Sequence, residues 1–487
     1  MIGLLAAMAA VSACTETTAS GPAGPTGQVR LVAVAQPATT DTVQARPVQG
    51  LVVELRDGAD RPVAGSVVRF TGLLGKDQQP SMFVGSENSQ SVAAFTADST
   101  DIRGRAIAVV QFGPLAGIGR IAIEVPEFGL ADTVAFTIQP GSAAAVQMNP
   151  PDSTMYPNGT AQIRGTVLDR FGNARTDAVT YSVTSTPAGI ASVNPTGLVG
   201  ATATGRVTVT GTAGDAHSTA ALSVVPRGTL AVSVSIPVDG HPILVFDLDG
   251  SNPLLLGDSP GDVYQSEPEW SPSGTEIAFT ETTGSARVAF VTLDGTVSPL
   301  LVNPPPSLGS HYWPTYSRDG QYVYFSGGGQ SIWRAKRDGT NAEALTEGLT
   351  QGLDYRPSAS PDGRFVSFYS VGSLGVVVRV LDLATRTLTP LIVQGRFPAW
   401  SPGGDKIAFV ENDARGIRIM NPDGSGSRLI SMPGRLYIDS QISWSPDGEW
   451  IAARSEVIDL IQVSTGLTLP IAGTGTLLHP SWRPLAP

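Results

Sequence analysis

A single cysteine, Cys14, is all that 487 residues contain, so no disulfide can form within the chain and stability must come from core burial. Charge is scarce at 15%, and 41% of residues are hydrophobic, which excludes a chain disordered throughout. The apolar opening at 1–13, MIGLLAAMAAVSA, falls short of the ~20 residues a membrane-spanning helix needs. Histidines number only four, and His217, His241, His311 and His479 stand far from one another and from Cys14. No zinc-ligand spacing arises, and no cofactor is expected. In contrast, 55 Gly and 38 Pro point to short strands joined by tight turns, an all-β chain. Net charge is −11, and residues 228–487 carry 17 Lys/Arg against 26 Asp/Glu. So acidic a C-terminal half repels phosphate backbones and anionic headgroups, which argues against nucleic acid as a partner.

The length calls for two to four domains. Residues 1–13 suit a signal-peptide core, with small residues ahead of a cleavage site. Val11-Ser12-Ala13-Cys14 resembles the lipobox of bacterial lipoproteins. That resemblance implies a lipidated Cys14, membrane attachment through the lipid alone, and a place in the cell envelope. With Thr15 after the cysteine, the outer membrane is favoured in a host with two membranes. Residues 14–28 then read as the lipidated cysteine and a flexible tether, since TETTASGPAGPTGQ offers nothing to build a core.

From Val29 the chain alternates apolar and polar at period two between turn clusters, as in LVVELRDGADRPVAGSVVRFTG and RAIAVVQF, to about residue 141. Short strands so spaced predict a β-sandwich over 29–141. With its Asp101-x-x-Gly104-x-Ala106 segment, this stretch resembles bacterial Ig-like domains of the invasin type. Residues 142–226 predict a second sandwich. Its Tyr181 strand, its turn from Ala191 to Val199 and its closing Thr-Val-Thr-Gly-Thr strand resemble the group 2 bacterial Ig-like (BIG2-type) domain. Such domains imply a spacer, or in a rival reading an adhesin.

The decisive pattern lies in 227–487. Pro268-Glu-Trp-Ser-Pro-Ser-Gly274, Pro314-Thr-Tyr-Ser-Arg-Asp-Gly320, Pro357-Ser-Ala-Ser-Pro-Asp-Gly363, Pro398-Ala-Trp-Ser-Pro-Gly-Gly404 and Ile442-Ser-Trp-Ser-Pro-Asp-Gly448 align without gaps, their serines 46, 43, 41 and 44 residues apart. Such a period is that of a four-stranded propeller blade. Ser, Pro and Gly at first, second and fourth positions suit a type I turn between two strands. A sixth copy, Pro480-Ser-Trp482, has no following strands, whereas residues 230–256 supply strands without a preceding copy. Pairing the two predicts a six-bladed ring closed by its N- and C-terminal strands. These repeats resemble the TolB-type, WD40-like (PD40) propeller repeat. The resemblance implies the fold and a periplasmic, protein-binding setting.

No catalytic set assembles in the sequence, and the chain is read as a binding protein, not an enzyme. Gly257-Asp-Ser-Pro-Gly261 matches a nucleophile elbow, but Pro260 has no N–H for an oxyanion hole. Asp247-Leu-Asp249-Gly-Ser-Asn252 begins like a calcium loop yet lacks its later acid. Trp270, Trp400, Trp444 and Trp482 recur at one repeat position and read as inter-blade core. Candidate binding residues are those outside the pattern: Trp313, Trp333, His311, His479 and the loop Pro304-Pro305-Pro306. The expected partner is an envelope protein. The rivals are a glycan-binding propeller and a propeller enzyme acting on glycans or peptides.

Overall fold

Period-two alternation becomes strand wherever it occurs. The computed structural model describes residues 29–74, 81–87, 89, 91–235, 242–257, 263–299, 309–328, 330–389, 391–413, 416–430 and 441–485. Among these, every regular element is a β-strand. Cys14, the signal and tether segments, His241, residues 258–261 and Pro304–Pro306 lie outside the described residues. The chain falls into two compact units. One holds the residues up to 147 with Gly165–Thr180 and Gly211–Ser218. The other holds Met148–Arg164, Tyr181–Thr210 and Thr219–Pro487.

The first sandwich pairs a four-stranded sheet with a five-stranded one. Leu51, Val53, Leu55, Phe70, Phe112, Ile121 and Phe136 fill the space between, and Phe112 and Phe136 meet at 5.7 Å. Along Arg105–Phe112 every second side chain is buried, as alternation requires. The Asp101 motif is a turn, in which one carboxylate oxygen accepts from the N–H groups of Arg103 and Arg105 at 2.7 and 2.9 Å. Gly104 supplies the positive φ of 76°.

The strands of the second Ig-like segment form sheets of two, four and three strands. The turn anticipated at Ala191–Val199 is held by Asn194, which accepts from the N–H groups of Thr196 and Leu198.

Beyond Val225, the described residues form six sheets of four strands, one with a further short strand at its edge; in five the strands run in sequence order, and in the other the inner strand comes from the far end of the chain. Their innermost strands are β1 (Tyr264–Trp270), β2 (Tyr312–Tyr316), β3 (Leu353–Ala359), β4 (Arg396–Trp400), β5 (Ser443–Trp444) and β6 (Leu477–Trp482). β6 has no later strands of its own. It pairs with Thr229–Val234, which in turn pairs with Ile243–Asp247, so the sixth blade draws on both ends of the repeat region.

The repeat residues hold the turn after each inner strand. In five copies the glycine N–H donates to the serine carbonyl, at 2.8 to 3.0 Å, as at Ser271, Ser317, Ser360, Ser401 and Ser445. The same serine hydroxyl accepts the N–H five residues on, for example Phe365 to Ser360 at 2.8 Å and Trp450 to Ser445 at 2.9 Å. The four repeat tryptophans are buried between neighbouring blades. Trp270, for instance, packs with Val245 and Leu256 of the sixth blade and Ile277 and Phe279 of the first.

Candidate functional site: a ring of pre-proline residues around the channel

Just before the repeat proline, the inner strands break register. The break falls between Ser266 and Glu269, Tyr312 and Thr315, Tyr355 and Ser358, and Arg396 and Ala399. A proline tolerates such a bulge because it has no N–H to give the ladder. The preceding residue takes a left-handed conformation: φ is 59° at Glu267, 55° at Trp313, 49° at Arg356, 53° at Phe397 and 53° at His479. Non-glycine residues held there cost about 1–3 kcal/mol each. Strain at one place in five repeats turns five different side chains inward. Gln441, just ahead of the copy that has Ile442 for proline, completes the ring.

Arg356 ties this ring across the channel. Its guanidinium bonds to Glu267 at 3.3 Å, two blades away in one direction, and to Gln441 at 3.4 Å, two blades away in the other. It lies over Trp313 at 5.2 Å and Phe397 at 4.8 Å. Glu267 also accepts from the Trp313 indole N–H and, at 2.8 Å, from the Thr280 hydroxyl. Gln441 donates to the Pro268 and Pro480 carbonyls at 3.0 and 3.3 Å. Tyr312, Trp313, Tyr355, Tyr369 and Phe397 continue as a chain of rings at 5.3 to 5.5 Å.

On the side of the Ser-Pro turns the ring is the floor of a funnel of about 830 Å³, with Trp313, Arg356, Phe397 and Gln441 at its base. Edges of Trp400, Trp444 and Trp482 line the wall, and turn prolines such as Pro272, Pro361 and Pro446 form the rim. Two acids line it, Asp447 at the rim and Glu269 deeper in. The Glu269 carboxyl is pushed up to about 7 by burial, against one hydrogen bond from Ser481 that favours ionisation. Below pH 4.5 folded and unfolded chains both keep this proton, so nothing is lost. From there to pH 7 only the unfolded chain ionises, and stability falls as pH rises. At ~1.4 kcal/mol per pH unit, tempered by water entering the funnel, the penalty reaches about 2 kcal/mol. Glu269→Gln is therefore expected to stabilise the protein by about that much at pH 8 and to leave it unchanged at pH 4. Urea denaturation at the two pH values checks this, and an equal effect at both would refute it.

Of the sequence candidates, Trp313 and His479 belong to the ring. His479 Nδ1 lies 2.8 Å from the Ser233 hydroxyl. Burial, then the charges of Arg356 and Arg454, lower its pKa to about 3, so it stays neutral. His311 lies two residues before Trp313, its imidazole packed on Phe325 at 5.6 Å and its pKa lowered, chiefly by burial. Trp333 is elsewhere, buried with Phe290 and Phe325 between blades. His217 is exposed on a sandwich strand. Asp247 and Asp249 are engaged by Thr229, Asn252 and Ser251 within their turn. Among the described residues no three His, Cys, Asp or Glu gather as a metal site. Sequence reasoning missed Glu267, Arg356, Phe397 and Gln441. Their signal is position: each immediately precedes a repeat whose first residue is otherwise proline, yet none resembles another.

Residues 237–485, about half of the chain, match the family described as the TolB beta propeller domain. Residues 134–224 match the bacterial Ig-like domain, group 2. An uncharacterised protein of Agrobacterium fabrum is 28% identical over 204 residues, 38% of this chain and 67% of that protein. Among solved structures, TolB from Acinetobacter baumannii is similar with a TM-score of 0.45 and 18% identity, covering 63% of this chain and 83% of that one. A chain of a nidogen/laminin complex is similar at 0.41 and 11%, covering 53% and 98%. The matched residues take in the five complete repeats and the β6 strand, and the chain belongs to the TolB β-propeller domain family.

Proposed function

We propose that this protein is an envelope binding protein, anchored by lipid at Cys14, whose Ig-like segments hold a propeller away from the membrane so that it grips a protein partner. The observation that carries this reading is the ring. Six unlike side chains occupy equivalent positions on a repeated frame, five of them at strained φ, and four of them form the floor of an open funnel. Strain retained at the base of such a funnel points to recognition. In the hydroxyl–imidazole pair at the ring, Ser233 with His479, the hydroxyl is buried and the imidazole is too weak a base to activate a nucleophile near neutral pH, so the reading is binding without turnover.

In-cell cross-linking of the full-length protein, followed by mass spectrometry of what attaches to residues 227–487, tests it. A reproducible protein partner is expected, with its yield reduced in Cys14→Ser, which releases the protein from the membrane. Recovery of glycan alone, or of nothing from abundant protein, would overturn the reading.

A further inference from the structure

One layer outward from the ring comes the residue after each repeat proline, or after Ile442 in the fifth copy, and all of these except the last copy's line the funnel. They are Glu269, Thr315, Ser358, Ala399, Ser443 and Ser481 in chain order. Where the residue is serine, its hydroxyl serves the ring's own closure. Ser358 accepts from the Trp400 N–H at 3.2 Å, Ser443 from Trp482 at 2.9 Å, and Ser481 from Trp270 at 3.3 Å. Glu269 breaks the series. Its carboxylate accepts one bond, from the Ser481 hydroxyl at 3.1 Å, and among the described residues no cation pairs with it.

The cations nearby are committed elsewhere. Arg356 bonds to Glu267 and Gln441 in the ring. Arg337 makes a two-pronged bond to Glu276, which also accepts from the Tyr316 hydroxyl at 2.8 Å. Arg483 donates to the Gly274 carbonyl and lies 5.0 Å from the Trp270 ring. At the rim, exposed Arg318 and exposed Asp447 oppose one another in sign. What remains is a recessed carboxylate that faces an open funnel whose wall includes Trp and Pro side chains.

We infer that Glu269 is the counter-ion of a seat for one basic side chain, a lysine or arginine presented by the partner protein, its stem against the Trp and Pro walls and its charged head at the carboxylate. The inference rests on the protein-binding reading above. A long cationic side chain matches both parts of the funnel, because its methylenes prefer apolar wall and its head requires an anion. Occupancy removes the cost of an unpaired carboxylate, so the seat favours the cation over an uncharged isostere.

The seat is also pH-dependent. It needs Glu269 ionised, and the two shifted groups packed around β1, His479 and Tyr316, are both moved away from neutrality. His479 on β6 stays neutral, the Tyr316 hydroxyl on β2 is pushed upward by burial, and Glu267 and Glu276 are paired with arginines. Binding of a cation therefore weakens as pH falls below about 7.

The test uses the full chain and three capped pentapeptides, Gly-Gly-X-Gly-Gly with X lysine, norleucine or glutamate, with binding read from tryptophan fluorescence. At pH 8 the lysine peptide is expected to bind at least ~10-fold tighter than the norleucine peptide, a difference of ~1.4 kcal/mol. The glutamate peptide is expected to bind weakest. The preference for lysine should shrink about tenfold between pH 8 and pH 6 and vanish in Glu269→Gln, whose near-identical shape keeps the fold. Equal binding of lysine and norleucine at pH 8, or a preference that survives Glu269→Gln, overturns the inference. If the cross-linked partner sits elsewhere on the propeller while the peptides show no preference, the seat falls and the protein-binding reading stands. Lysine selectivity without any cross-linked partner supports the seat and removes that reading.

Discussion

Deletion of residues 477–487 is expected to abolish cooperative folding of the propeller. These residues carry β6, whose ladder runs along Thr229–Val234 with Leu230 opposite Trp482 and Val234 opposite Leu477. Without it, buried Leu230, Val232, Trp450 and Leu460 lose a wall of their shared core. The N–H of Trp482 no longer reaches Ser443, and Ser481 no longer reaches Trp270 and Glu269. An open arc with two bare sheet edges has less burial to set against chain entropy and is prone to edge pairing. The loss is expected to exceed the ~5–15 kcal/mol by which a domain is ordinarily stable. Thermal melts followed by near-ultraviolet circular dichroism should show no sharp transition. A synthetic peptide of residues 477–487 added in trans should restore one by supplying the missing strand. A deleted chain that melts as sharply as the intact one would show that closure is not what holds the ring.

Arg356→Ala is expected to cost about 3 kcal/mol, because it strands the Glu267 carboxylate inside the channel. Both side chains of the pair are only 11% exposed. At this domain size that lowers the melting temperature by roughly 6–12 °C. Neutralising the stranded acid as well, in Arg356→Ala/Glu267→Gln, should recover part of the loss, since the amide oxygen still accepts from Trp313 and its NH2 donates to the Thr280 hydroxyl without a charge to desolvate. A double-mutant cycle from urea denaturation measures the coupling. A single-variant loss below about 1 kcal/mol, or no recovery in the double variant, would mean that water already screens the pair.

The blades are legible in the chain because each turn is made from neighbours in sequence. Ser360, Pro361 and Gly363 lie within four residues and meet each other's hydrogen-bonding needs locally. Closure is legible too, since the strands missing after Trp482 are those present without a partner at 230–256. The ring was harder to see. Arg356 reaches Glu267 and Gln441 across 89 and 85 residues of chain, and only a closed circle makes them neighbours. The left-handed turn of Glu267 or Phe397 has no local signature either, since a residue before proline ordinarily extends. Trp333 shows the opposite error. It breaks the repeat, yet pairing with Phe325 on the neighbouring strand carries it into the core.

The strand that closes the ring is also the one by which the chain enters it. Thr229–Val234 follows directly on the Ig-like segment and lies hydrogen-bonded between two partners, Ile243–Asp247 on one side and β6 on the other. A pull along that strand, from an anchored N-terminal side against a held propeller, meets both ladders in shear. Their hydrogen bonds stand across the line of force and have to yield together rather than one after another. The entry point is thus an arrangement in which both ladders share the load, and a propeller pulled there resists opening at its seam.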